Sequence, residues 1–175
     1  SRGLGDVYKR QDEEKNRVLP VIEAVRNAHP GVGISIDTRR ASIAKAALDL
    51  GADMVNDVSS LSDPDMADVI IGKKCPVCIM HMQGLPENMQ NNPSYADVVI
   101  EVRQRLETTA GKLLDLGLNA EMIITDPGIG FGKLLEHNLS LLSAGRKIVP
   151  KQNMPLMWGV SRKRMFCLLY TSPSP

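Results

Sequence analysis

The sequence predicts an α/β fold built from repeated β-α units around a parallel sheet. Five short apolar runs each end in a polar group: Ile34-Ser35-Ile36 leads to Asp37, Met54-Val55 to Asn56, residues 77–80 to His81, residues 122–125 to Asp126, and residues 156–160 to Ser161-Arg162-Lys163. Segments of helical periodicity separate these runs. The run that ends at Asp126 continues into a glycine-rich loop, Asp126-Pro-Gly-Ile-Gly-Phe-Gly-Lys133. In β-α architectures ligands sit beyond the carboxyl ends of the strands, so the polar ends of these runs mark a candidate site.

The first element is a helix over residues 13–27, with Val18, Leu19, Ile22 and Val25 spaced to pack one face. Residues 41–50, 64–72, 95–116 and 136–144 then follow the first four runs as helices. Gly51, Gly72 and Gly117 stand at or just past helix ends, where a left-handed residue is wanted. Residues 81–94 form the one long connection and leave their strand on the ligand side, where long loops are usually functional. Its proline, glycine and asparagine content equally suits a plain surface loop, and no residue in it is assigned a catalytic role. No internal repeat or linker divides the chain, so one domain is expected.

The two ends differ from the rest. Residues 3–11 can be encoded by GGG CTC GGA GAT GTG TAT AAG AGA CAG, whose complementary strand, read one base out of register, encodes Cys-Leu-Leu-Tyr-Thr-Ser-Pro-Ser-Pro, the sequence of residues 167–175. Residues 1–11 and 167–175 are therefore expected to be translated sequencing adapter, and residues 12–166 an internal fragment of a longer protein. The roughly 155 residues that remain suffice for one hydrophobic core but fall short of a closed eight-stranded β/α barrel, which needs about 200 to 250.

Setting aside Arg2, Lys9, Arg10 and Asp6 removes three positive charges and one negative, which takes the formal charge from +1 to −1. No basic field for nucleic acid survives. The apolar runs are far shorter than a membrane span, and a cytoplasmic protein is expected. Cys75 and Cys78 resemble a redox or metal pair in spacing, but both enter an apolar strand-like run where positions three apart face opposite ways. His81 alone does not complete a metal set, so two buried, reduced thiols are expected.

Among the polar ends, Asp126 carries the strongest claim to a ligand. The alternative is a helix cap, but the next helix begins only near Glu136. Asp37 can bind a ligand while Thr38 caps the following helix, and Asn56-Asp57 reads both ways. The spacing of Gly128, Gly130 and Gly132 matches neither nucleotide-binding glycine pattern. Lys133 reads as an anion contact or an ordinary loop lysine, and the ordinary reading is favoured. Arg162-Lys163-Arg164 follows its apolar run directly, which singles out Lys163 as the basic member of the site. Two carboxylates, an amide and a lysine contain no nucleophile-base pair. They suit recognition of a flat heterocycle, whose amidine-like edge a carboxylate accepts through two parallel bonds.

Together Ile34-Ser-Ile-Asp-Thr38, Val55-Asn-Asp57, Met80-His-Met-Gln-Gly84, Asp126-Pro-Gly-Ile-Gly-Phe-Gly-Lys133 and Gly159-Val-Ser-Arg-Lys163 resemble, in order, the motifs of the dihydropteroate synthase family. The resemblance implies a partial (β/α)8 barrel with about five of eight strands. It implies a transferase that condenses 6-hydroxymethyl-7,8-dihydropterin diphosphate with p-aminobenzoate to give dihydropteroate in folate biosynthesis. By position, Asp37, Asn56, Asp126 and Lys163 would hold the pterin, with Asp126 and Lys163 as the catalytic residues. Val58, Met80, Gly130, Phe131 and Gly159 would shape the pocket, and Ser161 would lie near p-aminobenzoate. Mg²⁺ is implied, with its ligand expected N-terminal to this chain, as is a homodimeric parent. The fragment alone is expected not to turn over. A methyltetrahydrofolate-binding methyltransferase domain and a non-catalytic barrel scaffold are the competing readings. The residues 80–84 and 161–163 favour the synthase.

Overall fold

Helix α1 (Arg2–Ala28) precedes four β-α units in the computed structural model, which describes residues 2–84, 93–163 and 165, with side chains from Asp12 onward. They comprise β1 (Ser35–Asp37), α2 (Ala41–Asp49), β2 (Met54–Asp57), α3 (Met66–Lys73), β3 (Val77–Met80), α4 (Val98–Asp115), β4 (Ile123–Asp126) and α5 (Leu135–Ala144). The strands form one parallel sheet in the order β1-β2-β3-β4. Residues 2–11 of the expected adapter continue α1, whereas residues 167–175 lie outside the described residues, as does most of the long connection.

Register and strand alternation divide the side chains between two faces. Ile36, Val55, Val77 and Ile123 form one cross-strand row, and Asp57, Ile79 and Thr125 form the next row on that face. All seven are buried, and the aliphatic ones join the same core as Ile22, Ala44, Ile70, Val102 and Leu106 of the helices. Each fully buried aliphatic side chain contributes about 1.5–3 kcal/mol, so this face holds the sheet to its helices. Asp37, Asn56, Cys78 and Ile124 form a row on the other face, with Met80 and Asp126 beyond it toward the strand ends. That face carries the polar groups.

Local chemistry explains where elements differ from expectation. Helix α4 begins at Val98 rather than residue 95 because Asp97 accepts from the Val99 and Ile100 N–H groups at 2.9 and 3.0 Å, while Glu101 accepts from the Ala96 and Asp97 N–H groups. Gly51 and Gly117 take the left-handed conformation, but Gly72 lies inside α3 and Lys74 takes it instead. The fifth run is not a strand among the described residues. Thr125 donates to the Pro155 carbonyl and accepts from the Met157 N–H, giving a single parallel bridge at Leu156. Pro155 brings no N–H, and the Val160 N–H turns back to the Trp158 carbonyl rather than to a neighbouring strand. Cys75 precedes β3 and Cys78 lies within it, and both are buried and free. Among the described residues, no helix is long and apolar enough to cross a membrane.

The turn after β2 depends on Asp57. It is fully buried and accepts from the Ser59 N–H and hydroxyl through Oδ1, and from the Leu61 N–H through Oδ2. These bonds hold Ser60 and Leu61 at positive φ (52° and 62°), a conformation that side-chain-bearing residues seldom adopt. Asp57→Ala leaves those donors without an acceptor. It is expected to destabilise the chain by about 2–4 kcal/mol in urea unfolding, with Asp57→Asn costing less because one oxygen remains.

Candidate active site

Asp126 ends β4 opposite Met80, and only 5% of its surface is exposed. Its Oδ1 accepts from the Gly128 N–H at 2.7 Å, which fixes the carboxylate plane. The other oxygen, Oδ2, lies 3.3 Å from the point where a side chain at Gly159 would begin, so glycine at 159 leaves it open. Burial pushes the Asp126 carboxyl above its ordinary value, against the Gly128 N–H and the charges of Lys163 and Lys133.

Gly128 is required where the loop after β4 crosses the end of β3. Its φ is +68°, and a Cβ there would stand 1.9 Å from the His81 carbonyl oxygen. Two residues on, Gly130 packs against the Lys163 side chain, and the Lys163 ammonium lies 3.9 Å from the Phe131 ring centroid. Burial pulls Lys163 below its ordinary value, and Asp126 opposes that shift. Asp126, Gly130, Phe131, Gly159 and Lys163 thus gather at one mouth.

The second part of the site lies along the same face. The Asn56 amide donates to Asp37 Oδ2 at 3.4 Å across the β1-β2 register. Burial raises the Asp37 carboxyl, the Asn56 bond opposes it, and Asp57 adds to the rise. Cys78 bridges the two parts. Burial and the carboxylates of Asp126, Asp37 and Asp57 push its thiol far up, so it is not a nucleophile at neutral pH. Met80 is buried at the end of β3 against Gly128, while Val58 lines a cavity of about 650 Å³ with Met80, Met82 and Arg105. Ser161 lies exposed in the turn before Lys163, and none of these contacts involves it.

Lys133 corrects the sequence reading. It is not an ordinary loop lysine, because it is 4% exposed and its Nζ meets His81 Nδ1 at 2.9 Å and the carbonyls of Phe131, Gly128 and His81 at 3.0, 3.1 and 3.3 Å. Burial holds it down to about 7, with Asp126 opposing. Burial likewise takes His81 down to about 3, so its ring is neutral and free to accept. Asn138 of α5, which no sequence pattern singles out, also supports the loop, since its Oδ1 accepts from the Gly130 N–H at 2.8 Å. The open reading of Asn56-Asp57 resolves into Asn56 on the site face and Asp57 in the turn.

Residues 6–173 match the family described as pterin binding enzyme. The chain belongs to the pterin-binding enzyme family. Dihydropteroate synthase of Neisseria meningitidis serogroup C is 43% identical over 163 residues, which are 92% of this chain and 57% of that protein. The solved dihydropteroate synthase of Thermus thermophilus in complex with 6HMPPP superposes with a TM-score of 0.83 at 42% identity, covering 91% of this chain and 62% of that one. That of Xanthomonas albilineans in complex with 7,8-dihydropteroate gives 0.82 at 33%, covering 94% and 59%. The chain therefore spans a little under three fifths of the curated relatives it matches, and its four-stranded sheet is part of their (β/α)8 barrel.

In this pterin-binding enzyme the raised carboxyls set a pH dependence. The folded chain binds the Asp126 and Asp37 protons more tightly than the unfolded chain does. Their stabilising contribution is thus full below the unfolded value of 3.8 and is lost as pH rises through the folded values. Relative to Asp126→Asn, the wild-type apo chain is expected to lose stability as pH rises from about 4 to 7 in urea unfolding. The opposite slope from neutral His81 is common to both chains and cancels in the difference.

Proposed function

We propose that this chain is the pterin-holding part of a dihydropteroate synthase, a transferase that joins 6-hydroxymethyl-7,8-dihydropterin diphosphate to p-aminobenzoate in folate biosynthesis. The observation that carries the reading is Asp126, with one oxygen tied to Gly128 and the other left open by Gly159. A carboxylate oxygen has two lone pairs, so Asp126 can keep the Gly128 bond and still accept the 2-amino and ring N–H groups of a pterin in parallel. The half-buried Lys163 ammonium beside Phe131 suits the acceptor-rich edge of the same ring. Asp37 and Asn56 supply an acceptor and an amide farther along the face. The dihydropteroate synthase relatives support this reading over a methyltransferase domain or a scaffold.

In the reaction, the bond from the pterin methylene carbon to the diphosphate oxygen breaks, and diphosphate leaves with the electron pair. The p-aminobenzoate nitrogen forms the new C–N bond and releases its proton to solvent. The residues here position the ring and stabilise charge, and none acts as a nucleophile. Ser161, two residues before Lys163, is assigned to the p-aminobenzoate side. Mg²⁺ is implied by the resemblance. Among the described residues no group of three or more His, Cys, Asp or Glu could hold a metal. A homodimer in the cytoplasm, where Cys75 and Cys78 stay reduced, completes the reading.

Titration with a pterin analogue tests it. Asp126→Asn replaces one acceptor with a donor facing the pterin donors, and is expected to cost about 2–4 kcal/mol, or roughly 30- to 1000-fold in affinity. Unchanged affinity in a folded variant would remove Asp126 from the site.

A further inference from the structure

Among the described residues, Lys133 is the one buried lysine or arginine, and the proposed chemistry does not use it. Its ammonium has three N–H groups and faces four acceptors: His81 Nδ1 and the carbonyls of His81, Gly128 and Phe131. A neutral amine has two N–H groups and would leave more of these acceptors unsatisfied, so the arrangement suits the charged form. The acceptors come from two segments distant in sequence: the end of β3, 52 residues before Lys133, and the loop after β4. The loop residues so held are those that build the mouth. Gly128 donates to Asp126, and Phe131 lies beneath the Lys163 ammonium.

The geometry points to Lys133 as a positioning residue for pterin binding: it pins the Gly128 and Phe131 carbonyls to the end of β3 and so sets the shape in which Gly128 aims Asp126 and Phe131 supports Lys163. This rests on the pterin-site reading above. It touches no substrate atom. Asn138 Oδ1 accepts from the Gly130 N–H, and the Tyr95 hydroxyl donates to the Gly132 carbonyl at 2.7 Å, so described residues other than Lys133 also hold the loop. Of these, only Lys133 also carries charge toward Asp126. The groups that face the Asp126 carboxyl are the Gly128 N–H and Lys133 from the loop, Lys163 from the last segment and Cys78 from β3.

The test compares Lys133→Met with wild type in the full chain by pterin-analogue titration across pH, alongside amide hydrogen exchange of residues 128–132. The folded variant is expected to bind about tenfold or more weakly. The acid limb of its binding profile, where Asp126 protonates, is expected to move to higher pH, because a positive neighbour is gone. Protection of the Gly130 amide is expected to fall while that of α4 is kept. A merely structural lysine would lower the melting temperature and leave the acid limb in place, and that result overturns the proposal. Should Lys133→Met fail to fold, Lys133→Gln keeps N–H donors for the carbonyls without the charge, and the same shift of the acid limb is expected. If wild type itself does not bind the analogue, the pterin-site reading fails. Loop protection then decides Lys133 alone, and unchanged protection in the variant overturns its positioning role.

Discussion

Parallel strand register is the constraint on which the rest of the structure depends. Because Asp37 pairs with Asn56, Asn56 with Cys78 and Met80 with Asp126, polar groups distant in sequence share one face. A slip of one residue in any strand would exchange those groups for Ile36, Val55, Ile79 or Thr125, which are buried under the helices. The apolar row thus protects the register, and the register assembles the site. The cost is visible in the raised carboxyls of Asp37 and Asp126, held in partly dry surroundings without a direct ion pair between described side chains at either one.

The loop after β4 makes the second layer of order. It crosses β3 so closely that only glycine fits at 128, and the crossing is held by a lysine buried among carbonyls. Such a lysine is costly to bury and is retained when its donors are all used. Its charge also offsets part of the desolvation of Asp126. Positive and negative groups therefore stabilise one another through the loop without touching, and the open oxygen of Asp126 is left for a ligand.

Much of this was legible in the sequence. Asp37, Asn56 and Asp126 were legible because a polar residue that closes an apolar run must lie at a strand end, and four of the five runs are strands. The fifth differs because its apolar composition hides a backbone that makes one isolated bridge among the described residues, and Pro155 is the sequence signal for it. Asn56 and Asp57 could have been separated by parity: Asp57 is two residues from Val55 and shares its buried face, whereas Asn56 is one residue away. Lys133 was not legible, since carbonyl acceptors carry no sequence signature. The nearest clue was the run of alternating glycines leading into a lysine. The helix ends shifted wherever Asp97 or Lys74 supplied chemistry that spacing alone does not show.

The central claim is that Asp126 reads a paired donor edge, and changing the ligand tests it most directly. A pterin and the matching lumazine, in which a carbonyl replaces the 2-amino group and N1 gains a hydrogen, share the N3–H and differ around the 2-position. Calorimetric titration of the wild-type chain is expected to show the pterin binding at least about tenfold more tightly, since the swap turns a donor into an acceptor facing a carboxylate. The preference should disappear in Asp126→Ala. Equal binding of the two ligands by the wild-type chain would contradict the account.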